Sequence, residues 1–323
     1  MADFSSDMVF PPARAGAVAM QEFRRMANAP YHLDWGIRDF DEYVIPMQPG
    51  DVVSLLARPG HTKTSTLIHL AKRASVLAST ISDNAIAVVA TWETTVEEFV
   101  GLLTAGQSGQ SLEQIARGQA DLQKVEEAIV QAIVNRVYIF GRSRKGTVAT
   151  TSFTLQIVDD LLRGLIAEGK NIILLGLDYL QRIPGLQVGM NPRDRVTVNM
   201  DISKDIALQR GCPVVIPVQA KRDVDDLTGL KMPRLNDPQW SSDVEQASDK
   251  VIALTRPCLY MAEGSMIVTD QSIGAGHKVT DSLLVAQVLK QRWGKAGEKF
   301  FMRFDVKSVS LTEAALFVEE VSF

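Results

Sequence analysis

Six short, predominantly apolar runs recur along the chain: Val52–Leu56 (with Ser54 its one polar position), Ile86–Ala90, Val137–Phe140, Ile172–Leu177, Val214–Val218 and Val251–Leu254. None shows the strict in-out alternation of a half-exposed strand. A short run that is apolar at nearly every position suits a strand covered on both faces. Helical segments lie between the runs, among them Thr64 to Ser75 and one starting at Thr95. This alternation predicts an α/β fold built on a mainly parallel sheet flanked by helices. After Ser282 the texture changes. Leu283–Lys290 and Lys299–Asp305 are separated by Trp293-Gly294-Lys295-Ala296-Gly297, which predicts a C-terminal antiparallel hairpin near a sheet edge. At the other end, Pro11-Pro12 and Pro30 bracket one short helix, Ala13 to Asn28. Its apolar residues Val18, Met20, Phe23 and Met26 are too few to fold alone. It either packs on its own domain or is an arm that docks on a neighbouring subunit.

Composition narrows the class. The 323 residues allow one large domain or two modest ones. Charged residues are 22% and hydrophobic residues 46%, a globular balance that excludes a disordered chain. The net charge of −4 excludes a histone-like basic coat but leaves a local basic channel open. Cys212 and Cys258 are isolated, and His32, His61, His69 and His277 are scattered, so neither a disulfide framework nor a zinc site is expected. Two plain thiols fit a reducing compartment, and a cytoplasmic location is expected. No signal peptide is read in MADFSSDMVF, and no stretch has the length of a membrane span.

The first run leads into Ala57-Arg58-Pro59-Gly60-His61-Thr62-Lys63-Thr64, and a helix follows. A strand, a tight loop ending in Lys-Thr and a helix form the setting of a phosphate-binding loop. Backbone N–H groups and the helix N-terminus would face the phosphates. Lys63 would reach the β- and γ-phosphates, and the Thr64 hydroxyl would hold Mg²⁺. The pattern G-x-x-x-x-G-K-[ST] is met imperfectly, because Ala57 and Thr62 stand at its glycine positions. Thr62 is the more serious departure, a β-branched residue where backbone approaches phosphate. The loop taken alone is balanced against an ordinary strand-to-helix turn.

Other strand ends add weight. The run Ile172–Leu177 is followed by Asp178, where a Mg²⁺-associated carboxylate would sit, beyond the strand ends. Glu93 follows the second run and is placed to polarise an attacking water; a helix-start charge is its plainer reading. Gln219 follows the fifth run and is a neutral donor suited to sensing a γ-phosphate; a turn amide is its plainer reading. Singly, each plain reading is the commoner one. With the loop after the first run, polar residues close four of the six runs, a less ordinary coincidence.

In this order, the residues resemble the ATPase domain of DnaB-family replicative helicases, a RecA-like fold. Leu56 to Thr64 is similar to that family's AARPxxGKT loop, including its alanine in place of the first glycine. Leu177-Asp178-Tyr179-Leu180-Gln181 is similar to IDYLQ, the most specific match. Ser241 to Asp249 is similar to SGSIEQDAD, and Lys290-Gln291-Arg292-Trp293-Gly294 to the KQRNG turn. Order and spacing agree from about Leu33 to Phe304.

The resemblance implies a division into an arm or linker helix at 1–30 and a RecA-like ATPase domain at 31–323. It tilts the helix before Pro30 toward docking between subunits. It implies ATP and Mg²⁺ as cofactors, with a binding set of Arg58, Pro59, Gly60, His61, Thr62, Lys63, Thr64 and Ser65. Glu93 would be the catalytic glutamate, and Thr64 and Asp178 the metal-associated pair. Gln219 would couple γ-phosphate state to DNA loops. Lys290 and Arg292 would reach a neighbouring subunit's site as a cationic finger. The implied assembly is a homo-oligomeric, hexameric ring around single-stranded DNA, with a primase or loader as further partner and no membrane.

Two loops are candidates for lining such a channel. One carries Arg182, Arg193 and Arg195; the other carries Lys221, Arg222, Lys231 and Arg234. Cations on mobile loops suit phosphate tracking without base readout. The second loop also holds Asp223, Asp225, Asp226 and Asp237, and both also read as solvated surface loops. The leading expectation is an ATP-driven, ring-forming helicase. The alternative is a RecA-like nucleotide-binding switch or assembly protein without productive unwinding, motivated by Thr62. A recombinase is a third reading, opposed by the hairpin and the Asp178-Tyr179-Leu180-Gln181 match.

Overall fold

Each of the six apolar runs forms a strand. In the computed structural model they are β1 (Val52–Ala57), β2 (Ala85–Thr91), β3 (Val137–Phe140), β4 (Asn171–Asp178), β5 (Val214–Gln219) and β6 (Lys250–Thr255). Short strands β7 (Met266–Asp270) and β8 (Ala275–Lys278) follow, then β9 (Leu283–Gln291), β10 (Lys299–Asp305), β11 (Ser310–Glu313) and β12 (Phe317–Val318). The helices are α1 (Pro12–Ala27), α2 (Arg38–Tyr43), α3 (Lys63–Ile81), α4 (Val96–Ser108), α5 (Leu112–Ala116), α6 (Leu122–Val130), α7 (Leu155–Ala167), α8 (Pro192–Arg210) and α9 (Ser241–Ala247). The structure describes residues 11–27, 32–131, 136–146, 153–187, 189–221, 229–237, 241–270 and 275–318. It divides into two units, Met1–His32 and Leu33–Phe323. In the first, α1 exposes Val18, Met20 and Phe23.

In the second unit a nine-stranded sheet runs β11-β10-β9-β6-β1-β5-β4-β2-β3. The six strands from β1 to β6 pair in parallel, and β9, β10 and β11 continue the sheet antiparallel at one edge. The expected hairpin at the sheet edge is therefore present, with β11 added outside it. β1 and β2 are buried at every position, the physical reason their sequences are apolar apart from Ser54 and the terminal Thr91.

Two faces of the sheet are covered by different helices. Leu175 and Leu177 pack in a cluster with Leu155, Val158 and Leu162 of α7 and Val196 and Met200 of α8. Gly176, between them, faces the other way onto α3. A Cβ there would lie 2.7 Å from Leu67, so this helix sits on the sheet only because residue 176 lacks a side chain. Full burial of a leucine such as Leu67 or Leu175 contributes about 1.5–3 kcal/mol.

Several boundaries differ from expectation. α3 continues to Ile81, beyond Ser75, with Leu67, Ile68, Leu70, Ala71, Ala74 and Ala78 buried. β4 and β5 extend to include Asp178 and Gln219. The three-stranded sheet β12-β8-β7 has no counterpart among the apolar runs. Its strands are short and mixed in polarity. Gly276 lets β7 come close, since a Cβ there would stand 2.3 Å from the Ile267 carbonyl oxygen. Among the described residues no helix is long and apolar enough to cross a membrane.

Candidate nucleotide site

Strand register brings the polar strand ends together. Ala57 pairs with Gln219 across β1 and β5, and Thr91 pairs with Asp178 across β2 and β4. All four lie at the C-terminal edge of the parallel strands, where α/β sheets form their ligand crevice. The loop at 58–62 rises from that edge and delivers the chain into α3 at Lys63.

The loop turns on two left-handed residues. Gly60 has φ +80, and Thr62 has φ 64 and ψ 21. A β-branched residue in this conformation costs about 1–2 kcal/mol relative to an ordinary one. Thr62 Oγ1 donates to the His61 carbonyl oxygen at 2.7 Å, a local partner that offsets part of that cost. Arg58 Nη1 donates to the Ala220 carbonyl at 3.1 Å, tying the loop to the end of β5.

Lys63 Nζ donates back to the Arg58 carbonyl at 3.1 Å. Burial lowers its pKa to about 8, against the pull of Asp178 and Glu93, which favour the ammonium. Thr64 Oγ1 donates to Asp178 Oδ1 at 2.9 Å. Asp178 is fully buried, and its Oδ2 has no hydrogen-bond partner among the described residues. Burial raises the Asp178 pKa to about 6, the Thr64 hydrogen bond works against that, and Glu93 adds to it. Glu93 is held in the turn closed by Thr91, whose Oγ1 accepts from the Thr94 N–H at 3.1 Å.

A cleft of about 480 Å³ opens over the loop. Its lining includes Pro59, Gly60, Thr62, Lys63, Thr64, Ser65, Glu93 and Gln219. Arg58 and His61 of the expected binding set lie on a separate hollow of about 240 Å³. The cleft also takes in Tyr179, from the Leu177–Gln181 match, and Leu102, Arg256, Phe304, Val306 and Val309, which no local signal in the sequence marks as site residues. The Arg256 guanidinium stands 5.8 Å from the centroid of the Phe304 ring. Such an apolar and cationic wall beside a phosphate loop suits a flat, electron-rich ring. A larger hollow of about 750 Å³ lies between β10 and the small sheet, and none of the candidate nucleotide-site residues lines it.

The pair of a hydroxyl and a carboxylate with an unpartnered buried oxygen is the hard-oxygen donor set that fits Mg²⁺. A phosphate chain in the cleft would meet the Lys63 amine and the start of α3, both sources of positive potential.

Gln219 is linked to the loop after β4. Its N–H donates to Gln181 Oε1 at 3.1 Å, and Gln181 Nε2 donates back to its carbonyl at 3.5 Å. Arg195 Nη2 in turn donates to the Gln181 carbonyl at 3.1 Å, and its Nε is buried without a partner among the described residues. Arg182, Arg193 and Arg234 are exposed. Lys221 donates to the Asn236 carbonyl at 3.1 Å, and Lys231 stacks over Tyr260. Arg222 lies outside the described residues, as do Asp223, Asp225 and Asp226.

Lys290 and Arg292 are not brought to this cleft. Val251 pairs with Lys290, whereas the cleft lies past Thr255 at the other end of β6. Lys290 Nζ donates to the Glu245 carbonyl, and Arg292 Nε pairs with Asp249 at 3.1 Å. Any role for them in nucleotide chemistry requires a second copy of the chain.

Comparison with known proteins agrees with this geometry. Residues 33–311 match the model of the DnaB-like helicase C terminal domain. A probable plasmid replicative DNA helicase of Chlamydia psittaci is 26% identical over 246 residues, covering 75% of this chain and 50% of that protein. The replicative DNA helicase DnaB of Mycoplasma genitalium is 23% identical over 228 residues, covering 69% and 46%. The chain thus spans about half the length of the curated relatives it matches. Among solved structures, one isolated ATPase domain superposes with a TM-score of 0.72 at 17% identity, covering 93% of this chain and 98% of that one. A DnaB-like replicative helicase, described with its interactions with primase, gives a TM-score of 0.71 at 17% identity, covering 93% and 66%. The matched segment holds the candidate phosphate loop, the polar strand ends at Glu93, Asp178 and Gln219 and the edge hairpin together, and the chain belongs to the DnaB-like helicase C-terminal domain family.

Proposed function

We propose that this chain is an ATP-hydrolysing motor that works as a ring on single-stranded DNA during replication. The observation that carries the reading is the meeting of Lys63, the Thr64–Asp178 pair, Glu93 and Gln219 at one cleft. The triphosphate would lie against the loop and the start of α3, with Lys63 on its terminal phosphates. Bound Mg²⁺ would neutralise phosphate charge as the terminal bond breaks. Thr64 and Asp178 would hold that ion between them. Glu93, exposed at the mouth, would orient the attacking water and accept its proton. Arg256 and Phe304 would flank the base.

In the proposed ring, Lys290 and Arg292 would complete the next subunit's site. Their position at the opposite edge of the sheet supports a contribution in trans. Gln219, joined to Gln181 and through it to Arg195, would report the state of the γ-phosphate to the segment 182–195. Exposed Arg182, Arg193 and Arg234 would track the strand by phosphate contacts. Residues 1–30 would form an arm that docks on a neighbour, with 31–323 as the motor domain. A primase or loader would be a further partner, in line with the fold neighbour described with primase.

The test is turnover and unwinding of a forked duplex with Mg²⁺ and ATP. Lys63→Ala is expected to lower both by at least ~100-fold, the scale of losing a main transition-state charge partner. Unwinding at the wild-type rate in that variant would refute the motor site. Thr62 in a glycine-like conformation favours a second reading, a nucleotide-dependent switch with little turnover. Tight nucleotide binding without DNA-stimulated hydrolysis is its signature.

A further inference from the structure

His61 is the one residue between the two left-handed positions of the phosphate loop, and its side chain turns away from the cleft. It is buried, and it is engaged. The Arg256 backbone N–H donates to His61 Nδ1 at 2.9 Å, and Thr255 Oγ1 lies 3.3 Å from the same nitrogen. Thr255 Oγ1 is 3.0 Å from Tyr260 Oη. Tyr260 Oη accepts the backbone N–H of Lys231 at 3.2 Å. The Tyr260 ring stacks against the imidazole with centroids 6.3 Å apart, and Lys231 Nζ stands 5.5 Å from the Tyr260 centroid.

The donors run in one direction. The two backbone N–H groups can only donate. With the Tyr260 hydroxyl donating to Thr255 and the Thr255 hydroxyl sharing His61 Nδ1, every bond has one proton. This requires Nδ1 to be bare and the imidazole to carry its proton on Nε2. A continuous polar path thus leads from the phosphate loop, through the end of β6, to the segment 229–237.

We propose that His61, Thr255 and Tyr260 form a relay of positioning residues that transmits nucleotide occupancy from the phosphate loop to the Lys231 segment, separately from Gln219. The inference rests on the reading of the cleft as a nucleotide site and deepens it. A phosphate seated on the loop tightens the backbone on both sides of His61. His61 also grips Arg256, which lines the cleft, so the loop and the cleft wall move as one body. Tyr260 is then held by Thr255 on one side and holds Lys231 on the other. Gln219 reaches Gln181 and Arg195, so each candidate strand-contacting segment has its own connection to the nucleotide. Satisfied buried networks of this kind have discrete arrangements and convey shifts well.

The test is hydrogen–deuterium exchange on the full chain, with and without Mg²⁺ and a non-hydrolysable ATP analogue. Nucleotide affinity is measured alongside on the same samples. In the wild type, the analogue is expected to slow exchange in 229–237 by at least ~5-fold, the low end of ordinary coupling between sites. Tyr260→Phe keeps the ring and removes the hydroxyl; it should bind the analogue within ~5-fold of wild type and lose the slowing in 229–237. His61→Leu, compared at analogue concentrations that saturate each variant, should also lose the slowing, and His61→Asn, which restores an acceptor, should recover it. A residue that serves packing alone would leave this nucleotide-dependent difference untouched. Wild-type slowing in Tyr260→Phe, or slowing absent from the wild type despite binding, overturns the relay and leaves the nucleotide site standing. Failure of the wild type to bind the analogue overturns both.

Discussion

The two ends of the parallel strands carry buried charge in opposite ways. At the C-terminal edge, Asp178 is fully buried with one oxygen unpartnered, and Lys63 is desolvated enough to bring its pKa to about 8. At the N-terminal edge, Asp249 is nearly as enclosed but saturated. It accepts from Lys204 Nζ at 2.7 Å, from the Val52 N–H at 2.8 Å and from Arg292 Nε at 3.1 Å. Lys250 pairs with Asp51 beside it. The contrast separates a charge kept to hold strands in place from a charge kept ready for a ligand. A group whose bonds are complete stabilises the fold; a group left incomplete in a cleft is a candidate for chemistry.

Arg292 puts the largest strain on that division. It belongs to the saturated edge, yet its side chain is half exposed. Arg292→Ala is expected to cost less than ~1 kcal/mol in denaturant unfolding. If it serves a neighbour's site, turnover should fall by ~1,000-fold. Mixing it with Lys63→Ala should restore part of the activity, because some interfaces then carry both groups. A mixture with no recovery would return Arg292 to a purely structural role.

Asp178 and Asp249 form the direct comparison. Asp178→Asn is expected to reduce Mg²⁺-dependent turnover by about 10–100-fold with little loss of stability. Asp249→Ala is expected to cost about 3 kcal/mol, because Lys204 keeps only the Gly50 carbonyl and the buried Val52 N–H loses its acceptor. Thermal and denaturant unfolding of the two variants, with turnover measured on the folded fraction, would reveal a reversed order.

His69 extends the rule to a titrating group. Its Nε2 is 2.7 Å from the Trp35 carbonyl, and its Nδ1 accepts the Leu311 N–H at 3.2 Å. Burial lowers its pKa to about 4. Above the ordinary histidine value of ~6.5 both folded and unfolded chains hold it neutral. Between ~6.5 and about 4 the unfolded chain takes up a proton that the folded chain refuses, so stability falls with pH. The loss amounts to about 3 kcal/mol at low pH. Asp178, with its raised pKa, acts in the opposite sense over an overlapping range. The measurement is therefore the difference in unfolding free energy between wild type and His69→Gln, followed from about pH 7 to about pH 4. A flat difference would remove His69 from the saturated class.

Thr62 gives the smallest effect. Thr62→Gly releases the left-handed strain and loses the hydroxyl bond to His61. The net gain is expected to be below ~1 kcal/mol, or no more than about 2 °C in Tm. A substantial loss of stability would mean that the threonine is a fitted part of the loop.

Much of the sheet is legible in the sequence because a strand buried on both faces must be apolar at nearly every position, and β1, β2 and β6 are buried throughout. Capping also shows locally: Thr95 and Glu98 close a capping box at the start of α4. The candidate phosphate loop and the polar strand ends are visible as residues on the chain. Arg256, Phe304, Val306 and Val309 are not. They come from segments that face the loop only after β6, β9 and β10 have paired, and nothing local marks them. His61 reads along the chain as one member of a binding loop, whereas its side chain turns to Thr255 and Arg256, nearly two hundred residues further on.

The chain's own pattern determines which segments become strands, which become helices and where each strand ends in a polar group, because burial and capping act on neighbouring residues. Which strand ends stand beside one another, which carboxylate is left one bond short and which end of the sheet Arg292 occupies are settled only by folding. These depend on strand order and register, which join residues far apart along the chain.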